Sequence, residues 1–200
     1  WILDDTGFLK QGTHSVGVQR QYTGSAGKIA NCQTAVSLVI ATRQAQLPID
    51  FDLYLPKSWT DDAERREEAR IPDDVVFQTK LDLGIDMIRR AVEADVPRGV
   101  VLADSHYGDS ADFRSAVRAL GLNYAVGVSH NLVVWRPDKA GNRRGRKIAL
   151  SEIASKTPRK TVRKVTWREG TKAAMSARFA VRRVVPAGQP GGPLSQREAV

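Results

Sequence analysis

The sequence predicts an α/β protein, built as a mixed sheet with helices on its faces and followed by a small basic unit that contains β-strands. Three observations support this fold class. Apolar, β-branched runs stand close together at the start of the chain, helical and strand patterns alternate after them, and the last third is strongly basic. Strands joined through helical crossovers are generally parallel, so the sheet is expected to be mixed.

Strand patterns come first along the chain. Residues 1–3 form an apolar run that meets a turn signal, and residues 14–22 alternate between apolar and polar side chains. Residues 31–41 are rich in Val, Ile and Leu, which predicts a buried strand that continues, after a break near Pro48, into residues 49–55. Consecutive neighbouring strands predict an antiparallel meander.

Helices and strands are then expected to alternate. Apolar residues at helical spacing and the positions of Gly and Pro predict the elements. They are a short charged helix or loop, an amphipathic helix, a strand, a second amphipathic helix and a strand, at residues 61–70, 79–94, 99–103, 110–120 and 123–128.

The charge is distributed unevenly along the chain. Residues 1–130 hold 14 Lys/Arg against 18 Asp/Glu, whereas residues 131–200 hold 17 against 4. This gradient suits an acidic, metal-binding core that acts beside a polyanion held by a basic neighbour. A solvated basic face or a disordered tail is the alternative.

The basic part is expected to form its own subdomain. Residues 138–147 predict a basic loop and residues 150–155 a short helix, while residues 161–167 with 174–185 predict a β-hairpin. We therefore divide the chain into a core over residues 1–135 and a basic insertion subdomain with a truncated C-terminal stretch over residues 136–200.

Composition excludes several classes of protein. A content of 42% hydrophobic residues is enough for a sizeable core, and no apolar run approaches the roughly 18 residues of a membrane span. A single cysteine, Cys32, excludes a disulfide framework and a zinc site built from several thiolates. We expect a soluble cytoplasmic protein with no membrane contact. The start at Trp1 and the Pro/Gly-rich end are expected of an internal fragment.

Aspartates follow two of the predicted strands. Asp4 or Asp5 ends the first strand, and Asp104 follows the strand at residues 99–103. If these strands are neighbours, the carboxylates converge and repel each other, an arrangement that a divalent cation stabilises. Spacing alone does not decide, because an aspartate after a strand is more often a turn former or a helix cap. Asp109 is an example, since it is expected to cap the helix that begins near residue 110.

Four segments carry a resemblance to a known family. Residues 4–8, 14–18, 22–24 and 103–108 have the sequences DDTGF, HSVGV, YTG and ADSHYG. They resemble the catalytic domain of DDE-type insertion-sequence transposases, and the resemblance covers most of the first 130 residues. It implies an RNase H-like fold, which has the same order of strands and helices as predicted here, and Mg²⁺ (or Mn²⁺) as cofactor. It also implies double-stranded DNA as partner, both transposon ends and target, and it makes a homodimer plausible.

The resemblance assigns catalytic carboxylates residue by residue. Asp4 is the first carboxylate, with Asp5 as second choice and a further metal ligand, and Asp104 is the second. The third is a Glu on a later helix. None of the glutamates in the C-terminal part lies on such a helix: Glu152, Glu169 and Glu198. We expect the third carboxylate beyond Val200, and therefore an inactive fragment.

Basic and aromatic residues near these motifs and in the basic segment are predicted to contact DNA. They are Lys10, His14, Arg20, Lys28, Tyr107, Arg143, Arg144, Arg146, Lys147, Arg163 and Lys164. Trp135 and Trp167 would add stacking. A core or turn position is the alternative for Tyr107. For His14 and His106 we favour structural or DNA-proximal roles, because two-metal phosphoryl transfer needs no histidine base.

The leading hypothesis is a transposase catalytic-domain fragment that takes part in Mg²⁺-dependent DNA cleavage and strand transfer. Two other functions stay open. One is a non-catalytic nucleic-acid-binding module with an RNase H-like fold, in which the basic third supplies the affinity. The other is an RNase H-like nuclease that is not a transposase. Metal binding separates the first alternative from the leading hypothesis, and strand transfer separates the second.

Overall fold

The strand patterns of the first 127 residues form one mixed sheet in the computed structural model, which describes residues 1–169 and 173–187. The strands are β1 (Ile2–Leu9), β2 (Gln19–Thr23), β3 (Lys28–Ala41), β4 (Gln46–Tyr54), β5 (Val100–Ala103) and β6 (Asn123–Val126). Their order is β2-β3-β1-β5-β6, and β4 also pairs with β3. The strands before the long helix pair antiparallel, whereas β1, β5 and β6 are parallel.

The expected meander of the first three strands was wrong, because β3 lies between β1 and β2. β1 and β2 both pair with Cys32 of β3 and so must lie on its opposite edges. β1 and β4 both pair with residues 34–39, so β4 shares the edge of β2. The 14-residue length of β3 leaves room for both strands along that edge.

Two further boundaries differ from the prediction. β1 runs through Asp4 and Asp5 to Leu9, because pairing with β3 continues to Cys32 and satisfies the backbone beyond the polar residues. β4 passes through Pro48 without a break. Pro48 lies on an edge strand, next to a register shift, where its missing N–H is tolerated.

Five helices accompany the sheet in the first unit. They are α1 (Lys57–Thr60), α2 (Ala63–Glu68), α3 (Lys80–Glu93), α4 (Ser105–Gly108) and α5 (Ala111–Ala119). A capping box between Thr79 and Asp82 fixes the start of α3. Ser110, not the predicted Asp109, caps α5, because its hydroxyl accepts from the N–H of Phe113. The short α4 was not predicted.

The two faces of the sheet differ in burial. Leu3, Val36 and Val101 alternate inward and are buried with Met87 of α3 and Phe113 of α5. The opposite face keeps large apolar side chains exposed, namely Phe8, Phe51 and Leu102. This face also carries Asp4, because side chains alternate along a strand. The predicted α/β class, with a mixed sheet and helices, is confirmed. Helices were expected on both faces, but the face that carries Asp4 keeps apolar side chains exposed.

A second compact unit begins at Val128. Its elements are β7 (Val133–Pro137), β8 (Arg143–Ala149), α6 (Leu150–Ser155), a 3₁₀ turn (Arg159–Thr161), β9 (Arg163–Glu169), β10 (Ala174–Phe179) and β11 (Val185–Pro186). The hairpin expected after residue 161 is present as β9 and β10. The expected loop at 138–147 ends at Asn142, because residues 143–147 belong to β8, which pairs with β7. Division at residue 135, and the status of this unit as an insertion, stay predictions.

Candidate metal centre

Parallel pairing brings Asp4 and Asp104 to the same level of the sheet. Ile2 of β1 is in register with Leu102 of β5, and the N–H of Leu102 donates to the carbonyl oxygen of Trp1 at 2.7 Å. Each aspartate lies two residues beyond this pair, and the backbone at Asp104 is still extended. Residues in register on parallel strands project to the same face, so both carboxylates lie on the open face.

Each of these carboxylates has one oxygen engaged by a backbone N–H. The Oδ1 of Asp4 accepts from Asp5 at 2.8 Å, and the Oδ1 of Asp104 accepts from His106 at 2.9 Å. Asp104 is therefore the N-cap of α4. Within the described chain, no donor reaches either Oδ2. One oxygen of each carboxylate remains available to a cation.

The pKa of Asp4 responds to the charges around it, including that of Asp104. Burial raises the pKa of the Asp4 carboxyl above its ordinary value. The N–H of Asp5 lowers that pKa, while the negative charges of Asp5 and Asp104 raise it further. Two hard oxygen donors, one of which destabilises the charged form of the other, fit a divalent cation such as Mg²⁺ or Mn²⁺.

Asp5 has a different environment, on the helix side of the sheet. Its Oδ2 lies 2.6 Å from the Nζ of Lys80, at the first turn of α3, and the two side chains are only 23% and 17% exposed. Lys80 also lies 5.6 Å from the ring centroid of Tyr54. A nearby ammonium thus compensates the charge of Asp5, while the structure describes no such partner for Asp4.

Tyr107 lies in the core behind these aspartates. It is fully buried, and its ring packs against Phe113 at 5.4 Å and against His106 at 5.3 Å between centroids. Burial raises the pKa of its hydroxyl, and the charges of Asp5, Asp104 and Asp4 add to this. The hydroxyl has no hydrogen-bond partner in the described residues. In this structure its side chain has no surface with which to reach DNA.

Glycines and a buried arginine fix the segment that carries Asp104. A Cβ at Gly108 would collide with the carbonyl oxygen of Gly127, just beyond β6, so α4 can approach the sheet only with glycine there. The carbonyl oxygen of Gly108 accepts from the guanidinium of Arg114, which is 3% exposed, at 2.5 Å. The position of Asp104 therefore depends on tertiary contacts as well as on the end of β5.

The basic residues predicted near the first motif lie on different segments of the chain, on strands and in the loops between them. Lys10 and Arg20 lie on either side of Asn31, which pairs with both segments. Lys28 is exposed at the start of β3. His14 is exposed, with its Nδ1 3.7 Å from a carboxylate oxygen of Glu68, and the exposed His106 follows Asp104 by two positions.

Strand alternation also separates the basic residues of the second unit. Arg144 and Arg146 project toward the face covered by α6, while the ammonium of Lys147 lies 5.8 Å from the ring of Trp135. Arg143 pairs in register with Pro137. In β9, exposed Arg163 and Lys164 point to opposite faces of the two-stranded sheet. Trp167 packs edge-on against Phe179 at 6.0 Å.

A third metal ligand is not found in the described part of the chain. No group of three or more His, Cys, Asp or Glu side chains there is placed to hold a metal. Both oxygens of Glu152 are engaged, by Arg146 at 2.6 and 2.8 Å and by Lys156 at 2.8 Å. The side chain of Glu169 and all of Glu198 lie outside the described residues.

Fold and site together define an α/β protein with an acidic pair between two parallel strands. The family model for the DDE superfamily endonuclease matches residues 1–174, and the chain belongs to that family. It is also 32% identical, over 131 residues, to a probable transposase for insertion sequence element IS701 from Microchaete diplosiphon.

That similarity covers 65% of this chain and 32% of the relative, so the chain spans about a third of the length of the curated relative it matches. No solved structure matches the chain. None of the described helices combines the length and the apolar character that a membrane crossing needs.

Proposed function

We propose that this chain supplies two of the three carboxylates of a transposase that cleaves DNA at transposon ends and joins the freed 3′ hydroxyl to target DNA. The observation that carries the proposal is the placement of Asp4 on β1 and of Asp104 directly after the parallel neighbour β5. Each lies two residues beyond the register pair of Ile2 and Leu102, and each has one carboxylate oxygen available. Membership of the endonuclease family and the similarity to an IS701 transposase support it. The order of strands and helices supports an RNase H-like core.

Asp4, rather than Asp5, is the proposed first ligand. Asp4 lies on the same face as Asp104, whereas Asp5 is held by Lys80 on the other face. A bound Mg²⁺ or Mn²⁺ would supply an activated water and charge stabilisation at the phosphate. Asp4 and Asp104 would hold the cation, and their neighbouring N–H groups would keep each carboxylate oriented. The third carboxylate is proposed to come from outside these 200 residues.

DNA is the proposed substrate. Candidates for contacts to backbone phosphates in the first unit are exposed Arg20 on β2, exposed Lys28 on β3, and half-buried Lys10 beside Asn31. In the second unit the candidates are Arg143, Arg144, Arg146, Lys147, Arg163 and Lys164. Such contacts are expected to make DNA affinity fall steeply with salt. Dimerisation stays an expectation from the family resemblance.

A non-catalytic nucleic-acid-binding module is the second candidate function. The role of Asp104 as the cap of α4 gives that residue a structural reason to be present, and this observation favours the alternative. The two functions differ in one property that the chain itself can show: the acidic pair of a metal-dependent enzyme binds a divalent cation.

Titration of the protein with Mn²⁺, followed by electron paramagnetic resonance of the free ion, tests this difference. We expect saturable binding with a dissociation constant on the order of 0.1–1 mM, as for weak oxygen-ligand sites. Asp4→Asn and Asp104→Ser should each weaken it by about tenfold or more, equal to about 1.4 kcal/mol. Asp74→Asn, which removes an exposed carboxylate elsewhere, is the matched control. Binding that Asp4→Asn and Asp104→Ser leave unchanged would contradict the proposal.

A further inference from the structure

Two arginines face each other across the hairpin of the second unit. Arg136 of β7 is in register with Arg144 of β8 in an antiparallel pair. Like charges at directly opposite positions destabilise a pair of strands. Both side chains are exposed, and within the described residues neither guanidinium has a carboxylate partner. The hairpin therefore carries a local excess of positive charge that an anion would relieve.

These arginines line a cavity, because they continue the inner face of the hairpin beyond its apolar core. Val134 and Arg136 lie two positions apart on β7 and project to the same face. Their partners on β8, Ile148 and Arg144, share that face because residues paired across strands do, although the register shifts between the two pairs. Val134 and Ile148 are buried beneath α6. Next to them is a cavity of about 460 Å³. Its charged lining consists of Arg136, Arg144, Arg146, Glu152 and Lys156.

The carboxylate of Glu152 does not neutralise the two facing arginines. It accepts hydrogen bonds from Lys156 and Arg146, and these bonds lower its pKa to about 2. Glu152 therefore stays ionised and holds these two cations at one side of the cavity. Lys147 is excluded from the cavity, because it lies over Trp135 on the opposite face of the hairpin.

We propose that this cavity is a phosphate-binding site, in which Arg136 and Arg144 grip one phosphate group from both strands. Guanidinium groups suit this role because their planar donors match phosphate oxygens in pairs. The paired Arg146 and Lys156 add positive potential without having to be reorganised. The phosphate is either a backbone phosphodiester of DNA, which rests on the proposed function, or a free phosphate ion, which does not.

Thermal unfolding in phosphate and in chloride at equal ionic strength tests the site itself. At a dissociation constant of about 1 mM, about 20 mM phosphate should raise the Tm of the wild-type protein by about 3 °C or more relative to chloride. The double variant Arg136→Gln/Arg144→Gln should lose this increment. The matched control is Arg43→Gln/Arg70→Gln, which removes two exposed charges from the first unit and should keep it. An increment equal in wild type and Arg136→Gln/Arg144→Gln overturns the proposal.

Binding of a fluorescent DNA duplex over a series of KCl concentrations separates the two sources of phosphate. If the ligand is DNA, Arg136→Gln/Arg144→Gln should weaken binding by about tenfold more than the control. It should also lower the slope of log affinity against log salt by about 1, because the two arginines are proposed to bind one phosphate group together. Equal affinities of the two double variants would overturn DNA as the source. If the wild-type protein binds no DNA, the proposed function is contradicted. The rise of Tm in phosphate would then still show whether Arg136 and Arg144 form a phosphate-binding site.

Discussion

Replacing Asp104 by Ser is expected to abolish DNA cleavage by an active protein that contains this chain, by about 10³-fold or more, while leaving the fold intact. The loss follows from removal of a ligand to a cation that stabilises charge in the transition state, an effect of several kcal/mol. Serine is a good N-cap, so its hydroxyl can accept from the N–H of His106 as Asp104 does. Cleavage of a labelled transposon-end duplex under single-turnover conditions is the measurement.

Serine at this position separates the two roles of Asp104. Asp104→Ala is the matched comparison, because it removes the cap as well and should lower the free energy of unfolding by about 1 kcal/mol. Asp104→Ser should unfold near the wild-type midpoint. If Asp104→Ser cleaves DNA at a rate within about tenfold of the wild-type rate, Asp104 is only a helix cap. That result would favour the non-catalytic nucleic-acid-binding module.

Asp4→Asn and Asp5→Asn are expected to have opposite effects on stability and unequal effects on cleavage. Both substitutions keep the shape of the side chain and remove its charge. Asp4→Asn should lower cleavage by about 10³-fold, as expected for a metal ligand, and Asp5→Asn by less than about tenfold. Asp5→Asn should destabilise the fold by about 1–3 kcal/mol, because Lys80, 17% exposed, loses its ionic partner.

The pKa of Asp4 determines whether Asp4→Asn stabilises or destabilises the fold. Burial and neighbouring charges raise the folded-state pKa of Asp4 above 3.8, its ordinary value. The folded state therefore binds the proton more tightly, and stability contributed by the protonated form is lost as pH rises through the raised pKa. At neutral pH and without metal, Asp4→Asn should stabilise the fold. Because Asp4 is exposed, the gain should stay below about 1 kcal/mol.

Two measurements distinguish the two aspartates. Chemical denaturation of both variants at pH 7 without metal gives their stabilities, and single-turnover cleavage in Mg²⁺ gives their activities. Wild-type metal affinity should also rise with pH through the pKa of Asp4, because a cation competes with the proton for the carboxylate. If Asp5→Asn loses cleavage and Asp4→Asn retains it, the assignment is reversed.

Much of the fold was predictable because its signals are local. The amphipathic pattern over residues 79–94 gave α3 (Lys80–Glu93) almost to its ends, since Thr79 caps it and apolar positions recur at helical spacing. The apolar run before Asp104 gave β5 for the same reason. The length of β1 was not predictable from its own residues, because Asp4 and Asp5 disfavour a strand and pairing with β3 overrides them.

The environment of the site depends on contacts between residues distant in the chain. The ion pair of Asp5 and Lys80 joins residues 75 positions apart, and no local sequence pattern predicts it. Tyr107 stands beside glycine and histidine, as a loop aromatic would, yet the tight turn from α4 to α5 directs it into the core. The segment ADSHYG does carry signals of such a turn. Aspartate, as at position 104, is a preferred N-cap residue, and Gly108 permits close packing.

The basic segment shows what composition can and cannot indicate. The excess of Lys and Arg after residue 130 was evident from the sequence, but its division between the two faces of a hairpin was not. Residues 138–147 are polar and glycine-containing, which predicts a loop, and alternation becomes visible only once β7 supplies a partner strand. The uncompensated pair of Arg136 and Arg144 is a result of that pairing.

Asp4 and Asp104 are proposed to share one cation. Anomalous diffraction from crystals soaked in Mn²⁺ measures this most directly. We expect a manganese peak in contact with one carboxylate oxygen of each residue, at about 2.0–2.3 Å, and none beside Asp5. A manganese ion bound on the side of the sheet that carries Asp5 and Lys80 would rule out the shared site. Crystals in which the Asp4 and Asp104 side chains diverge and hold no ion would rule it out as well.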